Sequence, residues 1–476
     1  MVHSKGGVSG RFIGRVRMVA LVCILASVVI VGRLYHVQIL QGDMYAARAE
    51  AQATPQTAPL LDRNSIYFTD KDGNPWTAAF IQPLGTTSEY ERVYPGGSLA
   101  AQELGFVAYN NDNVRKGRYG LERYYDQTLT RGGDSLYSNF FVELFGAARA
   151  TLSGQTQTGD LITTIEPSVQ AELERTLDTY AKDWSPKLAG GVIMDPHTGE
   201  IVAMALYPTF DLNAFKKEKD ISIFANPLVE NVFEMGSIMK PLTMAAGLDS
   251  GAIRPETTYN DTGRITIDNK TISNFDGVAR GIVPMQEILS QSLNVGASFI
   301  ATKMGPETMR EYFLNRYKFG EETGIDLPSE GHGLVANLQS PRRVEYDTAS
   351  FGQGIALTPI ATVRALASLA NGGKLVTPHL VRAVEYNTGI VRTLSWQSGT
   401  QILKPETTAE VSKMLTKVVD TALVNGDIKI EHYSVAAKTG TAQIANPNGG
   451  GYYSDRFLHS FFGYFPSFNS RFIVFL

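Results

Sequence analysis

The chain has 476 residues, of which 43% are hydrophobic and 19% charged, and its formal net charge is −4, from 43 basic and 47 acidic side chains. This length allows two or three domains, and this composition excludes an intrinsically disordered protein. The balanced charge, without a basic stripe interleaved with aromatic residues, argues against nucleic-acid binding. The single cysteine, Cys23, cannot form a disulfide within the chain.

An uncharged apolar run follows Arg17 and ends at Gly32. It is shorter than the ~20 residues of a typical membrane-spanning helix, but its flanks extend the apolar character. We therefore predict a transmembrane anchor over residues 18–40. Basic residues precede the run and no acidic residue occurs before Asp43, which predicts a cytoplasmic tail over residues 1–17 and an extracytoplasmic remainder. The alternative, a cleaved signal peptide, lacks a clean cleavage site.

Residues 41–160 carry mixed signals. A helical stem is predicted over residues 42–52, and short strand-like pieces with turn signals follow over residues 66–105. Residues 151–160 are rich in Thr, Gln, Gly and Ser, as is typical of a linker. We therefore place a domain boundary near Leu161.

From that boundary the signals become regular. Apolar residues at i+4 spacing predict a helix over residues 167–182. Two apolar runs around a Pro-His-Thr-Gly turn predict a β-hairpin over residues 191–205. A long stretch of helices and loops is predicted over residues 231–425, and strand-like segments return over residues 433–444, 457–466 and 471–476. Strands at both ends with helices between them predict an α+β domain over residues 161–476, in which helices cover one antiparallel sheet.

The segment Ser237-Ile-Met-Lys240 begins a predicted helix, residues 238–248. A serine at this position lies near free backbone N–H groups, and Lys240 projects from the same helix face. Serine is a poor nucleophile unless a base takes its proton, and a lysine does so only when neutral. That requires a pKa well below ~10.4, produced by burial or by a second cation. On its own, Ser-x-x-Lys is more often a helix cap followed by an ordinary lysine.

Two further motifs favour catalysis. Ser292-Leu-Asn294 interrupts an otherwise helical stretch, although a lone Ser-x-Asn is usually a cap. Lys438-Thr-Gly-Thr441 lies in a strand-like run, where lysine and glycine weaken strand propensity. Such a local exception is expected at a functional position. Gly440 would let an extended peptide lie along the strand edge, and Lys438 could be the second cation that Lys240 needs.

These three motifs, in this order, are typical of class A β-lactamases and penicillin-binding proteins. The chain resembles the class B penicillin-binding proteins, which are single-pass D,D-transpeptidases without a glycosyltransferase domain. Gly120-Leu-Glu122 is similar to the family's pedestal signature. Other similar segments are residues 164–170, 195–204, 351–354, 370–373 and 460–463. The resemblance implies a penicillin-binding/β-lactamase-like transpeptidase domain over residues 161–476, preceded by a stem and a shortened pedestal domain within residues 41–160.

The resemblance also implies roles for single residues. Ser237 would attack the penultimate D-Ala carbonyl of a stem peptide, with Lys240 as the proton acceptor. Ser292 would relay a proton to the leaving group, and Asn294 would hold both the peptide and Lys240. Lys438, Thr439 and Thr441 would bind the substrate's terminal carboxylate, and Gly440 would let the peptide lie against the strand. The backbone N–H groups of Ser237 and Thr441 would form the oxyanion hole.

The expected ligands are peptidoglycan stem peptides and β-lactams. The expected partners are a membrane peptidoglycan polymerase and proteins of the divisome or elongasome, at a bacterial plasma membrane that a single helix crosses. Many elongation-type members of the family carry aspartate at the position of Asn294, so the resemblance favours a septal over an elongation role. No cofactor is expected, and the scattered histidines predict no metal site.

The alternatives to a transpeptidase are a D,D-carboxypeptidase or β-lactamase using the same serine, or a non-catalytic β-lactam sensor or scaffold. The apolar strand over residues 471–476 ends without a turn, so we expect a truncated C-terminus.

Overall fold

The structure is a computed structural model that describes residues 10–35, 63–83, 90–109, 115–131, 158–387, 389–397, 399–446 and 450–476. The chain divides into two compact units, which we describe separately. One comprises residues 1–60 with 133–155, and the other, the main unit, comprises residues 61–132 with 156–476.

The first unit contains helix α1 (Gly10–Tyr35). This helix begins eight residues before the predicted anchor over residues 18–40, and residues 36–40 lie outside the described residues. Within the described ranges, no helix combines the length and the apolar character that a bilayer crossing requires. The predicted transmembrane helix is therefore not confirmed. The predicted stem over residues 42–52 and the linker up to residue 157 also lie outside the described residues.

The main unit contains strands and helices along its whole length, and eight short strands over residues 258–401 lie within the region predicted to consist of helices and loops. Its strands are β1 (Ile66–Thr69), β2 (Pro75–Pro83), β3 (Tyr90–Val93), β4 (Val107–Tyr109), β5 (Arg115–Gly117), β6 (Gly159–Thr163), β7 (Ala189–Met194), β8 (Ile201–Tyr207), β9 (Thr258–Asp261), β10 (Arg264–Ile267), β11 (Lys270–Ser273), β12 (Gly281–Pro284), β13 (Lys374–Leu375), β14 (Val381–Tyr386), β15 (Val391–Thr393), β16 (Thr400–Gln401), β17 (Ala436–Ala445), β18 (Tyr452–Phe465) and β19 (Phe472–Phe475). Its α-helices are α2 (Ala101–Leu104), α3 (Gly120–Tyr124), α4 (Asp126–Leu129), α5 (Pro167–Trp184), α6 (Pro227–Glu230), α7 (Lys240–Asp249), α8 (Met285–Ser290), α9 (Asn294–Arg310), α10 (Arg343–Ala349), α11 (Pro359–Ala370) and α12 (Pro405–Thr421).

One sheet is antiparallel throughout and has the strand order β17–β18–β19–β7–β8. Strand β17 forms one edge of this sheet and pairs on its inner side with β18. The predicted hairpin corresponds to β7 and β8, and the three predicted C-terminal strands correspond to β17, β18 and β19. The predicted α+β class, with helices covering an antiparallel sheet, is confirmed.

Helix α5 shows why the sequence forms the predicted element. The side chain of Glu166 accepts the N–H of Val169 at 2.7 Å, and Pro167 occupies the first helical turn, so the helix begins with a proper N-cap. Leu173 and Leu177 pack against alanines of β8 in a small apolar cluster. The helix extends to Trp184, two residues beyond its predicted end.

Helix α7 lies in the core of the main unit. Nine of its ten residues are buried, including Lys240. An amphipathic surface helix would expose one face, whereas a helix that is buried all round must have its polar groups satisfied inside the protein. The buried amine of Lys240 therefore needs hydrogen-bond partners, which Ser237 and Ser292 supply.

A second sheet is mixed and has the order β15–β14–β6–β1–β2–β3. The predicted boundary at residues 160 and 161 falls within β6, which pairs in parallel with β1 and antiparallel with β14. Strands that precede and follow the predicted boundary thus share one sheet. The predicted division into a pedestal and a transpeptidase domain remains a prediction.

The Gly120-Leu-Glu122 segment contributes a buried carboxylate to this region. Glu122 is fully buried and binds Arg63 Nε at 2.5 Å and Arg92 Nε at 2.7 Å. Burial alone would raise the pKa of Glu122, but the two guanidinium charges hold it below its ordinary value. Removing one partner of such a buried pair typically costs about 3–5 kcal/mol. The segment thus has a structural role in holding α3, strand β3 and the residues just before β1 together.

Candidate active site

Ser237 lies in a 3₁₀ turn, Gly236–Met239, that leads directly into α7. The predicted helix began at Ile238, whereas the α-helix begins at Lys240. Gly236 has φ +63°, and a Cβ built on it would lie 2.9 Å from the carbonyl oxygen of Thr441. Only glycine combines this backbone conformation with such a close approach. The turn therefore brings the backbone of residues 234–237, which we call the Ser237 loop, against β17.

Lys240 is the centre of the hydrogen-bond network around Ser237. Its Nζ lies 2.9 Å from Ser237 Oγ, 3.1 Å from Ser292 Oγ and 2.6 Å from the carbonyl oxygen of Ser292. The side chain is 1% exposed. Burial, and secondly the charge of Lys438, lower the pKa of Lys240 well below the ordinary lysine value. These contacts and this shift suit a proton acceptor for the Ser237 hydroxyl.

Ser292 and Asn294 stand at the break between α8 and α9, as the sequence predicted. Ser292 has φ +55°, a conformation that is uncommon for residues other than glycine and that is often found at functional sites. Asn294 Nδ2 donates to the carbonyl oxygen of Ser273 at 2.9 Å. The predicted contact between Asn294 and Lys240 is not among the contacts of the described residues. Of these two residues, Ser292 contacts Lys240, through its Oγ and its carbonyl oxygen.

Lys438, Thr439, Gly440 and Thr441 lie on the edge strand β17, where side chains alternate between the two faces. Lys438 is 3% exposed, and its Nζ donates to the carbonyl oxygen of Thr439 at 2.8 Å. Burial lowers the pKa of Lys438 to about 8. Thr439 and Thr441 are exposed, and the Oγ1 of Thr441 lies 3.4 Å from Nδ1 of His459 on β18.

Gly440 lies where β17 passes the segment before Ser237. A Cβ built on Gly440 would lie 2.4 Å from Ser460 Oγ and 3.0 Å from the carbonyl oxygen of Met235. A larger residue would therefore push β17 away from the Ser237 loop. The glycine that weakens strand propensity is explained by this close packing.

The structure thus brings Ser237, Lys240 and Ser292 into one hydrogen-bonded group, with β17 beside it. In the described part of the chain, no group of three or more potential ligands could hold a metal ion. In the sequence analysis, no role was assigned to Glu234, which precedes Ser237 by three residues. In the structure the carboxylate of Glu234 accepts hydrogen bonds from Gly354 N–H and the Tyr452 hydroxyl. Its position three residues before Ser237 was the only sign in the sequence of a functional role for Glu234, and no such sign pointed to Tyr452.

Residues 189–476 match the family described as the penicillin-binding protein transpeptidase domain. Stage V sporulation protein D of Bacillus subtilis is 29% identical over 392 residues, which cover 81% of this chain and 59% of that protein. The probable peptidoglycan D,D-transpeptidase FtsI of Caulobacter vibrioides is 29% identical over 393 residues, with coverages of 81% and 59%. The chain thus spans about three fifths of the length of these curated relatives.

A solved structure gives the same result for the fold. Penicillin-binding protein 3 of Mycobacterium tuberculosis, in its apo form, superposes with a TM-score of 0.73 at 25% identity, and the match covers 88% of this chain and 89% of that one. The family match extends over more than half of the chain and includes Ser237, Ser292 and Lys438. The chain therefore belongs to the penicillin-binding protein transpeptidase family, and within it to the class B penicillin-binding proteins.

Proposed function

We propose that this chain is a serine-type peptidoglycan D,D-transpeptidase, which also binds penicillin covalently. The observation that carries the proposal is the 2.9 Å contact between Ser237 Oγ and the buried Lys240 Nζ, whose pKa is lowered. The names of the relatives, which include peptidoglycan D,D-transpeptidases, support the substrate class.

In the first half-reaction, neutral Lys240 takes the proton of Ser237 Oγ as the oxygen attacks the penultimate D-Ala carbonyl of a stem peptide. The developing oxyanion accepts hydrogen bonds from the backbone N–H groups of Ser237 and Thr441, and one such donor often contributes about 3 kcal/mol. The C–N bond then breaks, and the nitrogen of the leaving D-Ala receives a proton. Ser292 Oγ, 3.1 Å from Lys240 Nζ, is suited to relay that proton.

In the second half-reaction, an amine of a neighbouring stem peptide attacks the ester carbonyl of the acyl-enzyme. The new C–N bond replaces the ester bond, and Ser237 Oγ recovers a proton from the amine through Lys240. The product is a cross-link between two stem peptides, and the enzyme returns to its starting state. Both half-reactions use the same base in opposite directions.

The terminal carboxylate of the substrate would lie along β17. Lys438 supplies positive charge there, Thr439 and Thr441 supply hydroxyl donors, and Gly440 keeps the strand against the Ser237 loop. Asn294 is proposed to hold the peptide from the opposite wall. Its hydrogen bond to Ser273 fixes the orientation of its amide.

The experiment that tests this proposal is a time course with a fluorescent penicillin. We expect one covalent label per chain, formed on Ser237 and released slowly, because no base is proposed to activate water against the acyl-enzyme. Rapid turnover of the label would instead identify a β-lactamase. A chain that takes no label at all would be a scaffold, and the transpeptidase proposal would then be abandoned.

We further propose an extracytoplasmic location with a single-pass N-terminal anchor, a septal role, and association with a membrane peptidoglycan polymerase and the divisome. The basic residues before the apolar run support the orientation.

A reporter that is active only outside the cytoplasm, fused after Leu61, should therefore be active. The same reporter placed before Arg11 is the control and should be silent. Activity of a cytoplasm-specific reporter at Leu61 would reverse the proposed topology.

A further inference from the structure

The segment that leads into the nucleophile, residues 234–236, is hydrogen-bonded at every residue to elements that are distant in sequence. Ser460 Oγ on β18 donates to the carbonyl oxygen of Met235 at 3.2 Å. Gly236 N–H donates to the carbonyl oxygen of Gly352 at 3.1 Å. Gly352 has φ +80°, and a Cβ on it would lie 2.3 Å from the carbonyl oxygen of Gly236. The loop of Gly352 and strand β18 therefore hold this segment from two sides.

Glu234 joins these two sides through one carboxylate. Its Oε1 accepts the N–H of Gly354 at 3.1 Å, from the loop that also contacts Gly236. The hydroxyl of Tyr452, the first residue of β18, donates to Glu234 Oε2 at 2.9 Å and to Oε1 at 3.2 Å. The catalytic roles proposed above use neither Glu234 nor Tyr452.

The electrostatics of this pair suit a lasting contact. Burial raises the pKa of Tyr452, and the charge of Glu234 raises it further, so the phenol remains a hydrogen-bond donor. Burial also raises the pKa of Glu234, while the hydrogen bonds from Tyr452 and Gly354 oppose that rise. Hydrogen bonds to an ionised acceptor are about twice as strong as those between neutral groups. Tyr452 is 40% exposed and water competes for its hydroxyl, so we expect the contact to constrain the loop in part.

We propose that Glu234 and Tyr452 are a positioning pair, which ties the start of β18 to the segment before Ser237 and so holds Ser237 at the distance from β17 that acylation requires. This inference rests on the proposed function. Neither residue touches the reacting atoms. Their effect passes through the Ser237 backbone, whose N–H is half of the proposed oxyanion hole, and a misplacement of about 1 Å in an active site can cost about a hundredfold in rate.

The test measures acylation by a fluorescent penicillin over a range of concentrations, which separates the limiting acylation rate from the dissociation constant before acylation. Tyr452→Phe removes only the hydroxyl. We expect this variant to lower the limiting acylation rate about tenfold, which is less than the roughly hundredfold cost of a full misplacement of about 1 Å. The dissociation constant and the melting temperature should change little. Tyr453→Phe, which removes a hydroxyl from the next residue of the same strand, is the matched control and should acylate like the wild type.

Two changes at Glu234 complete the experiment. Glu234→Ala should slow acylation more than Tyr452→Phe does, because the bond to Gly354 is lost as well, and adding Tyr452→Phe to it should have no further effect. Glu234→Gln keeps a carbonyl acceptor and should restore most of the rate. Wild-type rates in Tyr452→Phe, or fully additive effects in the double variant, would overturn the positioning role while leaving labelling of Ser237 intact. A wild type without any label would instead remove the proposed function, and this inference with it.

Discussion

Ser237→Ala should abolish covalent labelling by a fluorescent penicillin while the protein stays folded. The covalent bond is proposed to form only on Ser237 Oγ, so the expected loss is complete rather than partial. Ser237 is only partly buried and its hydroxyl contacts Lys240, so the substitution leaves no large cavity. Gel fluorescence measures the label, and thermal melting measures the fold.

The matched control for this prediction is Ser250→Ala. Ser250 follows α7 at its far end, where its Oγ donates to the carbonyl oxygen of Gly247 at 3.2 Å. This variant should be labelled like the wild type. Mass spectrometry of the labelled wild type should locate the adduct in the peptide that contains Ser237. An adduct on any other residue would contradict the assignment of the nucleophile.

The elements around the site could be predicted because each rests on a local pattern. The break between α8 and α9 follows from Ser292 and Asn294, which are residue types that favour turns and caps. The edge strand β17 corresponds to the strand-like run predicted over residues 433–444. The order of the three motifs also carried the family resemblance, which the family match and the solved relatives bear out.

Other features of the site were not predictable because they depend on contacts between residues far apart in the chain. The 3₁₀ turn at Ser237 forms where Gly236 meets Thr441. Asn294 binds the carbonyl oxygen of Ser273, the last residue of strand β11. Local propensity contains no information about such contacts. The same reason explains why no role was assigned to Glu234 before its contacts were known.

Lys438→Met should change both the rate and the pH dependence of acylation. Lys438 is proposed to bind the substrate carboxylate, and a hydrogen bond to a charged group is worth about 1.5–3 kcal/mol. The second-order rate constant of acylation should therefore fall roughly tenfold to hundredfold. The pKa of Lys438 is about 8, so in the wild type the charge on this residue declines above that pH. The wild type should therefore lose carboxylate binding near pH 8, and Lys438→Met should lack this alkaline decline.

The acid side of the profile tests the coupling between the two lysines. Lys240, the proposed base, can accept a proton only when it is neutral, so acylation should rise with pH through the pKa of Lys240. Lys438 lowers that pKa, although burial contributes more. Without the positive charge, the pKa of Lys240 should rise, and the rising limb should move to higher pH. Lys413→Met, which removes a lysine whose side chain is 74% exposed on α12, is the control and should leave both limbs unchanged. A rising limb that stays in place in Lys438→Met would mean that burial alone keeps Lys240 neutral, and that Lys438 serves only to bind the carboxylate.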